Sequence, residues 1–262
     1  MREVAFIERL LPEIGAYVAA SRGDRVAMQV ASKADPVDLI TEIDREAQRR
    51  IEQAIAAEFP NDKIVAEENG MDRFPDDRDA RCWIIDPIDG THNFVHGALG
   101  AFGVSIAFAH RNELQAGGVA FPELAMTFTA QRGGGAWRNG SPTRVSEVAE
   151  VSLAQVEMDF GRPDYRERIV AMSPGILGAA GQIRCHGSAV FGLCSVAGGY
   201  ADAYLHAGLK VWDWAAAALI VSEAGGTVTN LQGESIRPFD IESMPLLASN
   251  GRIHQDVLRL LR

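Results

Sequence analysis

At 262 residues, with 47% hydrophobic and 23% charged residues, the chain has the size and composition of one large globular domain or two smaller ones. A formal charge of −10 excludes general affinity for nucleic acid or an anionic membrane, and it demands local positive charge wherever a phosphate is to bind. Cys82, Cys185 and Cys194 are odd in number and lack zinc-site spacing, which fits reduced thiols of a cytoplasmic protein. Charges at Arg2, Glu3, Glu8, Arg9 and Glu13 exclude a signal peptide or a membrane span in residues 1–20.

Phe6, Leu10, Leu11, Ile14 and Val18 recur at helical spacing, which predicts an amphipathic helix ending near Gly23, with Pro12 as a candidate kink. Residues 26–31 read as a short strand. Asp38-Leu39-Ile40-Thr41-Glu42-Ile43-Asp44 then runs into an apolar stripe of Ala47, Ile51, Ala54 and Ile55. This predicts a long helix stopped by Pro60, with Asp38 and Thr41 near its start, where acids and hydroxyls cap well. Asp44 reads as a surface residue of the first turns or as part of a site. Residues 63–68 read as a strand ending in the acids Glu67 and Glu68; a solvated end and a cation-binding end are both open. Residues 69–81 carry Pro75 and read as a polar loop.

The next stretch is Trp83-Ile84-Ile85-Asp86-Pro87-Ile88-Asp89-Gly90-Thr91. Its apolar run carries Asp86 to the end of a buried strand. Pro87 has no N–H for a ladder, so the chain is expected to turn there. Asp86, Asp89 and the Ile88 carbonyl can then face one point, a hard-oxygen set suited to Mg²⁺. Gly90 and Thr91 follow with backbone N–H groups suited to phosphate. The pattern points to a magnesium-dependent phosphate-ester site; an Asx-turn with two solvated aspartates is the alternative.

Residues 102–108, 114–121 and 125–130 read as strands of an antiparallel meander, with turns at Gly133-Gly134-Gly135 and Asn139-Gly140. The triple glycine lacks a following Gly-Lys-Ser/Thr and is a turn, not a phosphate loop. Composition shifts over residues 142–152, a domain boundary. Residues 151–158 then read as a strand, 165–177 as a helix and 183–185 as a short strand. Gly187-Ser188-Ala189 opens a small-residue helix whose first N–H groups suit an anion or a hydroxyl, or form a plain serine cap. A strand follows over 201–205. Val211-Trp212-Asp213-Trp214 opens a helix that ends at Gly225-Gly226, with Asp213 at its dipole-favoured start. Strands over 227–231 and 246–249 and a helix over 253–261 complete the chain.

Four of these segments together resemble the inositol monophosphatase family: residues 38–44, the Glu67-Glu68 strand end, Asp86-Pro87-Ile88-Asp89-Gly90-Thr91, and Trp212-Asp213 followed by Gly225-Gly226. They stand in the family's order and span nearly the whole chain. The family belongs to a lithium-sensitive, magnesium-dependent superfamily that also holds fructose-1,6-bisphosphatases and 3′-phosphonucleotide phosphatases. The resemblance implies an α+β fold, a layered αβαβα sandwich of the inositol monophosphatase and fructose-1,6-bisphosphatase type. Residues 1–145 would form an α+β half carrying most metal ligands, and residues 146–262 an α/β half completing the site. A cytoplasmic homodimer acting on a small phosphorylated substrate is implied, with no nucleic-acid or membrane partner.

By motif position, Glu67, Asp86 and the Ile88 carbonyl would bind one Mg²⁺, and Asp86 would bridge to a second held by Asp89 and Asp213. Glu67 could assist a third through waters. Asp44 and Thr91 would orient the attacking water, and with Glu67 they form the implied catalytic set. The Gly90 and Thr91 N–H groups would hold the phosphate. Gly187, Ser188, Ala189, His206 and Asp213 would contact the substrate. A metal-activated water needs no serine or cysteine nucleophile. The expected activity is hydrolysis of a small polyol or sugar phosphate, inositol monophosphate first. Histidinol phosphate, a sugar bisphosphate, a nucleotide 3′-phosphate and a weakly catalytic regulatory module are the alternatives. Lys33 and Arg184 are the candidates for a second phosphate. Before Gly208, inositol-phosphate enzymes usually carry Glu, which accepts a bond from a ring hydroxyl. A neutral His206 is expected to accept that bond instead. His92, His186 and Asp159-Phe160-Gly161-Arg162 are further departures around the pocket.

Overall fold

The periodic apolar residues of the N-terminus form helix α1 (Arg2–Ser21), which continues through Pro12. Pro12 lies on the exposed face, where water can satisfy the carbonyl it leaves unpaired. The computed structural model describes residues 1–22, 29–33, 39–69, 75–97, 100–161, 163–240 and 243–261. Gly23, Asp38, Arg162 and half of the strand expected over 26–31 lie outside the described residues, as does part of the loop over 69–81. Strands β1 (Ala31–Ser32) and β2 (Leu39–Ile40) pair antiparallel, and helix α2 (Glu42–Glu58) follows with Thr41 as its N-cap.

A seven-stranded sheet comes next, in sequence order: β3 (Lys63–Ala66), β4 (Arg81–Asp89), β5 (Gly103–His110), β6 (Glu113–Phe121), β7 (Met126–Gln131), β8 (Gly135–Arg138) and β9 (Ser141–Pro142). Only β3 and β4 run parallel; the rest is the expected meander. Helix α3 (Thr91–His96) leaves the end of β4. The second sheet has five strands, β10 (Gln155–Asp159), β11 (Gln182–Arg184), β12 (Ala203–Lys210), β13 (Thr227–Thr229) and β14 (Ser243–Ser249), ordered β11-β10-β12-β14-β13. The remaining helices are α4 (Pro163–Met172), α5 (Pro174–Ala179), α6 (Ala189–Ala197), α7 (Val211–Glu223) and α8 (His254–Leu260).

Side-chain alternation along the strands assembles these elements into five layers. In β4, Trp83 and Ile85 join the core beneath α1 and α2, while Cys82 and Ile84 join the core that holds α6 and α7. Both faces are buried, so the run reads as continuously apolar. In β12, Tyr204 faces α6 and α7, and Leu205 faces the outer core with Ile169, Ile176 and Val257 of α4, α5 and α8. The order is helices, seven-stranded sheet, helices, five-stranded sheet, helices. Helix α7 lies between two sheets and is apolar nearly all round, as a doubly covered helix must be. No described helix is long and apolar enough to cross a membrane.

Three local expectations are corrected. β4 does not stop at Pro87 but runs to Asp89. Its pairing with β5 is irregular between Asp86 and Asp89, and β3 pairs with it only as far as Ile85, so Pro87 falls where no ladder needs its missing N–H. The helix expected over 165–177 is two helices, because Pro174 cannot continue α4 and instead opens α5. The strand expected over 151–158 is preceded by a single 3₁₀ turn, Val151–Leu153, and begins at Gln155.

Gly117 and Gly118 sit on opposite faces of β6 and let a helix approach each one. A methyl at Gly117 would lie 2.9 Å from the Ala216 carbonyl oxygen of α7, and one at Gly118 would lie 2.5 Å from Ile7 and 2.6 Å from Leu11, both side chains of α1. Side chains can shift where backbone cannot. We expect Gly117→Ala to destabilise by roughly 1–3 kcal/mol and to lower the thermal midpoint more than Gly118→Ala does. Thermal unfolding of the two variants tests this, and equal midpoints would refute it.

Candidate active site

Asp86 and Asp89 come from the end of β4 and Asp213 from the first turn of α7; one carboxylate oxygen of each lies within 4.8 Å of the others. Each acid is fixed through a single oxygen. Asp86 Oδ1 accepts the Ile88 N–H at 3.0 Å, which is the Asx-turn expected of this sequence. Asp89 Oδ2 accepts the Ser188 hydroxyl and, at 3.1 Å, the Val190 N–H, so a residue of one sheet caps a helix packed on the other. Asp213 Oδ2 accepts the Lys210 N–H at 2.7 Å. Among the described residues no donor reaches the second oxygen of any of the three. Burial raises the proton affinity of all three, and neighbouring carboxylates, Glu67 among them, raise it further. Three clustered acids, each with one free oxygen, are the donor set a hard divalent cation takes.

Asp44 is 1% exposed and closes a capping box on α2: its Oδ2 accepts the Thr41 N–H at 2.8 Å and the Thr41 hydroxyl. Burial pushes its pKa up to about 6 against those bonds. Thr91 Oγ1 lies 3.3 Å from Asp44 Oδ1 and 3.0 Å from the Ile88 carbonyl oxygen, and its one proton serves one of them at a time. Gly90 precedes it at φ 82°, and a methyl there would lie 3.0 Å from both the Ala101 carbonyl oxygen and Ser188 Cβ. This position needs glycine for its conformation and for its space.

Glu67 opens the 3₁₀ turn after β3 and is not in the three-acid group. Its carboxylate accepts from Lys33 Nζ at 2.6 Å, and the same ammonium reaches Glu68 at 2.9 Å. Lys33, expected as a second-phosphate residue, is thus occupied by these acids. Arg184 is likewise turned onto its own strand, donating to Gln182 Oε1 at 3.2 Å and the Ile183 carbonyl at 2.9 Å.

A cavity of about 500 Å³ opens beside Asp89 and Asp213 and is walled in part by Gly187, Ser188, Ala189 and His206. Of the two further histidines expected around the pocket, His92 lines it and His186 does not. His186 instead holds Glu157 at 2.8 Å and packs on Phe191. The sequence reading missed Asp159 as a working residue. Its Oδ1 accepts the Gly187 N–H at 2.7 Å and its Oδ2 the Tyr204 hydroxyl at 3.0 Å, so it holds the turn that opens α6. The available signal was that of Glu67-Glu68, an acid closing a buried strand. His206 is also corrected: its Nδ1 already accepts the Gly208 N–H at 3.0 Å.

The family profile described as "Inositol monophosphatase family" matches residues 2–262. The chain belongs to the inositol monophosphatase family. It is 36% identical over 267 residues to the fructose-1,6-bisphosphatase/inositol-1-monophosphatase of Thermotoga maritima, covering 100% of this chain and 96% of that protein. It is 35% identical over 240 residues to a histidinol-phosphatase of Chlorobaculum parvum, covering 89% and 87%. The crystal structure of the extragenic suppressor protein suhB from Bartonella henselae superposes with a TM-score of 0.90 at 28% identity, covering 100% of this chain and 99% of that one. The layered fold is therefore that of inositol monophosphatases, and the chain is a phosphatase of this metal-dependent family.

The raised proton affinities carry a sign. An acid with an ordinary pKa near 4 and a folded value near 6 leaves the metal-free protein unpenalised below about pH 4, and it costs increasing stability as pH rises to the folded value. Asp86, Asp89 and Asp213 act in the same direction. We expect the thermal midpoint of chelator-treated protein to fall between about pH 5 and about pH 7.5, and a divalent cation to raise it more at the higher pH. Calorimetry with and without chelator reads both effects; a cation response independent of pH would count against a shared carboxylate site.

Proposed function

We propose that the protein is a Mg²⁺-dependent phosphomonoesterase acting on a small polyol or sugar phosphate, with inositol monophosphate as the first candidate. The observation that carries this reading is the convergence of Asp86, Asp89 and Asp213, each with one unengaged oxygen, at the mouth of a cavity. Bound Mg²⁺ supplies the positive charge a phosphate needs in an acidic chain and makes water acidic enough to attack near neutral pH. Asp86, Asp89 and Asp213 would hold one ion, and Asp86 with the Ile88 carbonyl and Glu67 another. Glu67 would exchange its Lys33 partner for the ion.

Thr91 and Asp44 act together on the attacking water. The Asp44 carboxylate accepts the Thr91 proton, which leaves the Thr91 oxygen as an acceptor aimed at the water, and the buried Asp44 is basic enough to draw the proton on. The N–H groups of Gly90 and Thr91, at the start of α3, suit the phosphate oxygens. The Gly187-Ser188-Ala189 turn lines the side where the alcohol leaves. A module that only bound a partner would have no use for the Thr91–Asp44 pair beside a cation site. Family relatives named for inositol, fructose and histidinol phosphates share a phosphate end, so the cavity wall decides among alcohols.

Inorganic phosphate release from inositol 1-phosphate, with Mg²⁺ and with chelator, tests the reading. We expect metal-dependent turnover and a loss of roughly 100-fold or more in kcat for Asp213→Asn and for Thr91→Ala. Wild-type rates in Asp213→Asn, or rates indifferent to chelator, would overturn it.

A further inference from the structure

His206 is 7% exposed and stands in the cavity wall. Its Nδ1 accepts the Gly208 backbone N–H at 3.0 Å, and a nitrogen that accepts carries no proton. Burial presses the pKa of the ring down to about 4, so the ring is neutral at physiological pH and its single proton sits on Nε2. A flipped ring would point a carbon at the Gly208 N–H and lose that bond.

The neighbourhood of Nε2 is open toward the cavity. No described residue bonds to it, and no fully buried side-chain nitrogen or oxygen among the described residues lacks a partner, so Nε2 reaches the cavity surface. Gly161 lines the same cavity, and a methyl there would lie 3.0 Å from Nε2. The missing side chain leaves that edge of the ring uncovered. Tyr165 packs edge-on against the ring at 5.8 Å between centroids. It can do so because position 208 is glycine: a methyl there would meet the Tyr165 ring at 2.5 Å.

Asp89 and Asp213 line the cavity at the candidate cation site, where on the phosphatase reading their free oxygens belong to the ion. Arg166 also lines the wall, where its Nη2 donates to the Gly161 carbonyl at 3.3 Å. Asp159 is an acceptor, but Gly187, Cys185 and Tyr204 already donate to it. Resting on the phosphatase reading, we propose that His206 is a specificity-determining residue whose Nε2–H donates to an acceptor on the leaving alcohol. The enzyme therefore takes neutral polyol or sugar phosphates and discriminates against amino-alcohol phosphates. An ammonium group brought to His206 would set donor against donor and leave both unpaired.

The test is kcat/KM of the Mg²⁺-loaded enzyme for inositol 1-phosphate and for histidinol phosphate, in wild type, His206→Gln and His206→Glu. Wild type is expected to prefer inositol 1-phosphate. His206→Glu, which only accepts, should shift the ratio toward histidinol phosphate by about 10-fold or more, largely through KM; His206→Gln keeps a donor and should shift it less. A wild type that prefers histidinol phosphate, or an unchanged ratio in His206→Glu, overturns the proposal. Long-range ¹H–¹⁵N correlation on histidine-labelled wild type, assigned by the signal lost in His206→Gln, reads the tautomer without any variant needing to be active. A proton on Nδ1 overturns the proposal directly. If no ester is hydrolysed, 4-nitrophenyl phosphate included, the phosphatase reading falls and this proposal falls with it.

Discussion

The structure depends on one unfavourable arrangement: three aspartates, two buried and the third partly so, with one oxygen of each within 4.8 Å of the others. Like charges at that spacing cannot all ionise in a low-dielectric interior without a cation. The fold accommodates them by fixing one oxygen of each with a backbone N–H, while no donor among the described residues reaches the other. Such an arrangement lowers the stability of the empty protein and gives a divalent cation its binding energy.

The layers make that gathering possible. A parallel pair of strands, β3 and β4, ends where three helices begin, and the positive ends of α3, α6 and α7 favour acids and anions there. Few side chains lock the two sheets at this point, and each does so through the site. Asp89 caps α6. Asn93 donates to the Ala101 and His186 carbonyls, both at 2.6 Å. Ser105 donates to the Trp212 carbonyl, just before Asp213. Loosening any of these links would move a candidate ligand.

The site is polar in two different ways. Its phosphate end is rich in acceptors and needs a cation. On the proposed reading, its alcohol end is set by the Nε2–H of His206 in the cavity wall. The first arrangement suits hydrolysis of any small phosphate ester, and the second would select which one. A division of this kind lets relatives share a reaction while differing in substrate.

Much of this is legible along the chain, because it rests on local chemistry. The alternation in β4, the capping box at Thr41 and Asp44, the Asx-turn at Asp86 and the serine cap at Ser188 are set by residues within a few positions of one another. So are the acids of the site, which stand at strand ends and helix starts. Local chemistry fails where a contact spans the chain. Pro87 stays in its strand because β3 ends before it. Lys33 is not free for a phosphate, because the fold sets it between Glu67 and Glu68. Asp159 works because Tyr204 and Gly187 come to it from other elements. The sequence by itself determined the helices and strands, since periodicity and caps are local, while the layered fold and the acid set follow from the resemblance of four separated segments to one family. Only the tertiary structure decided that Asp89 caps α6, because Ser188 and Val190 come to it from the other half of the chain.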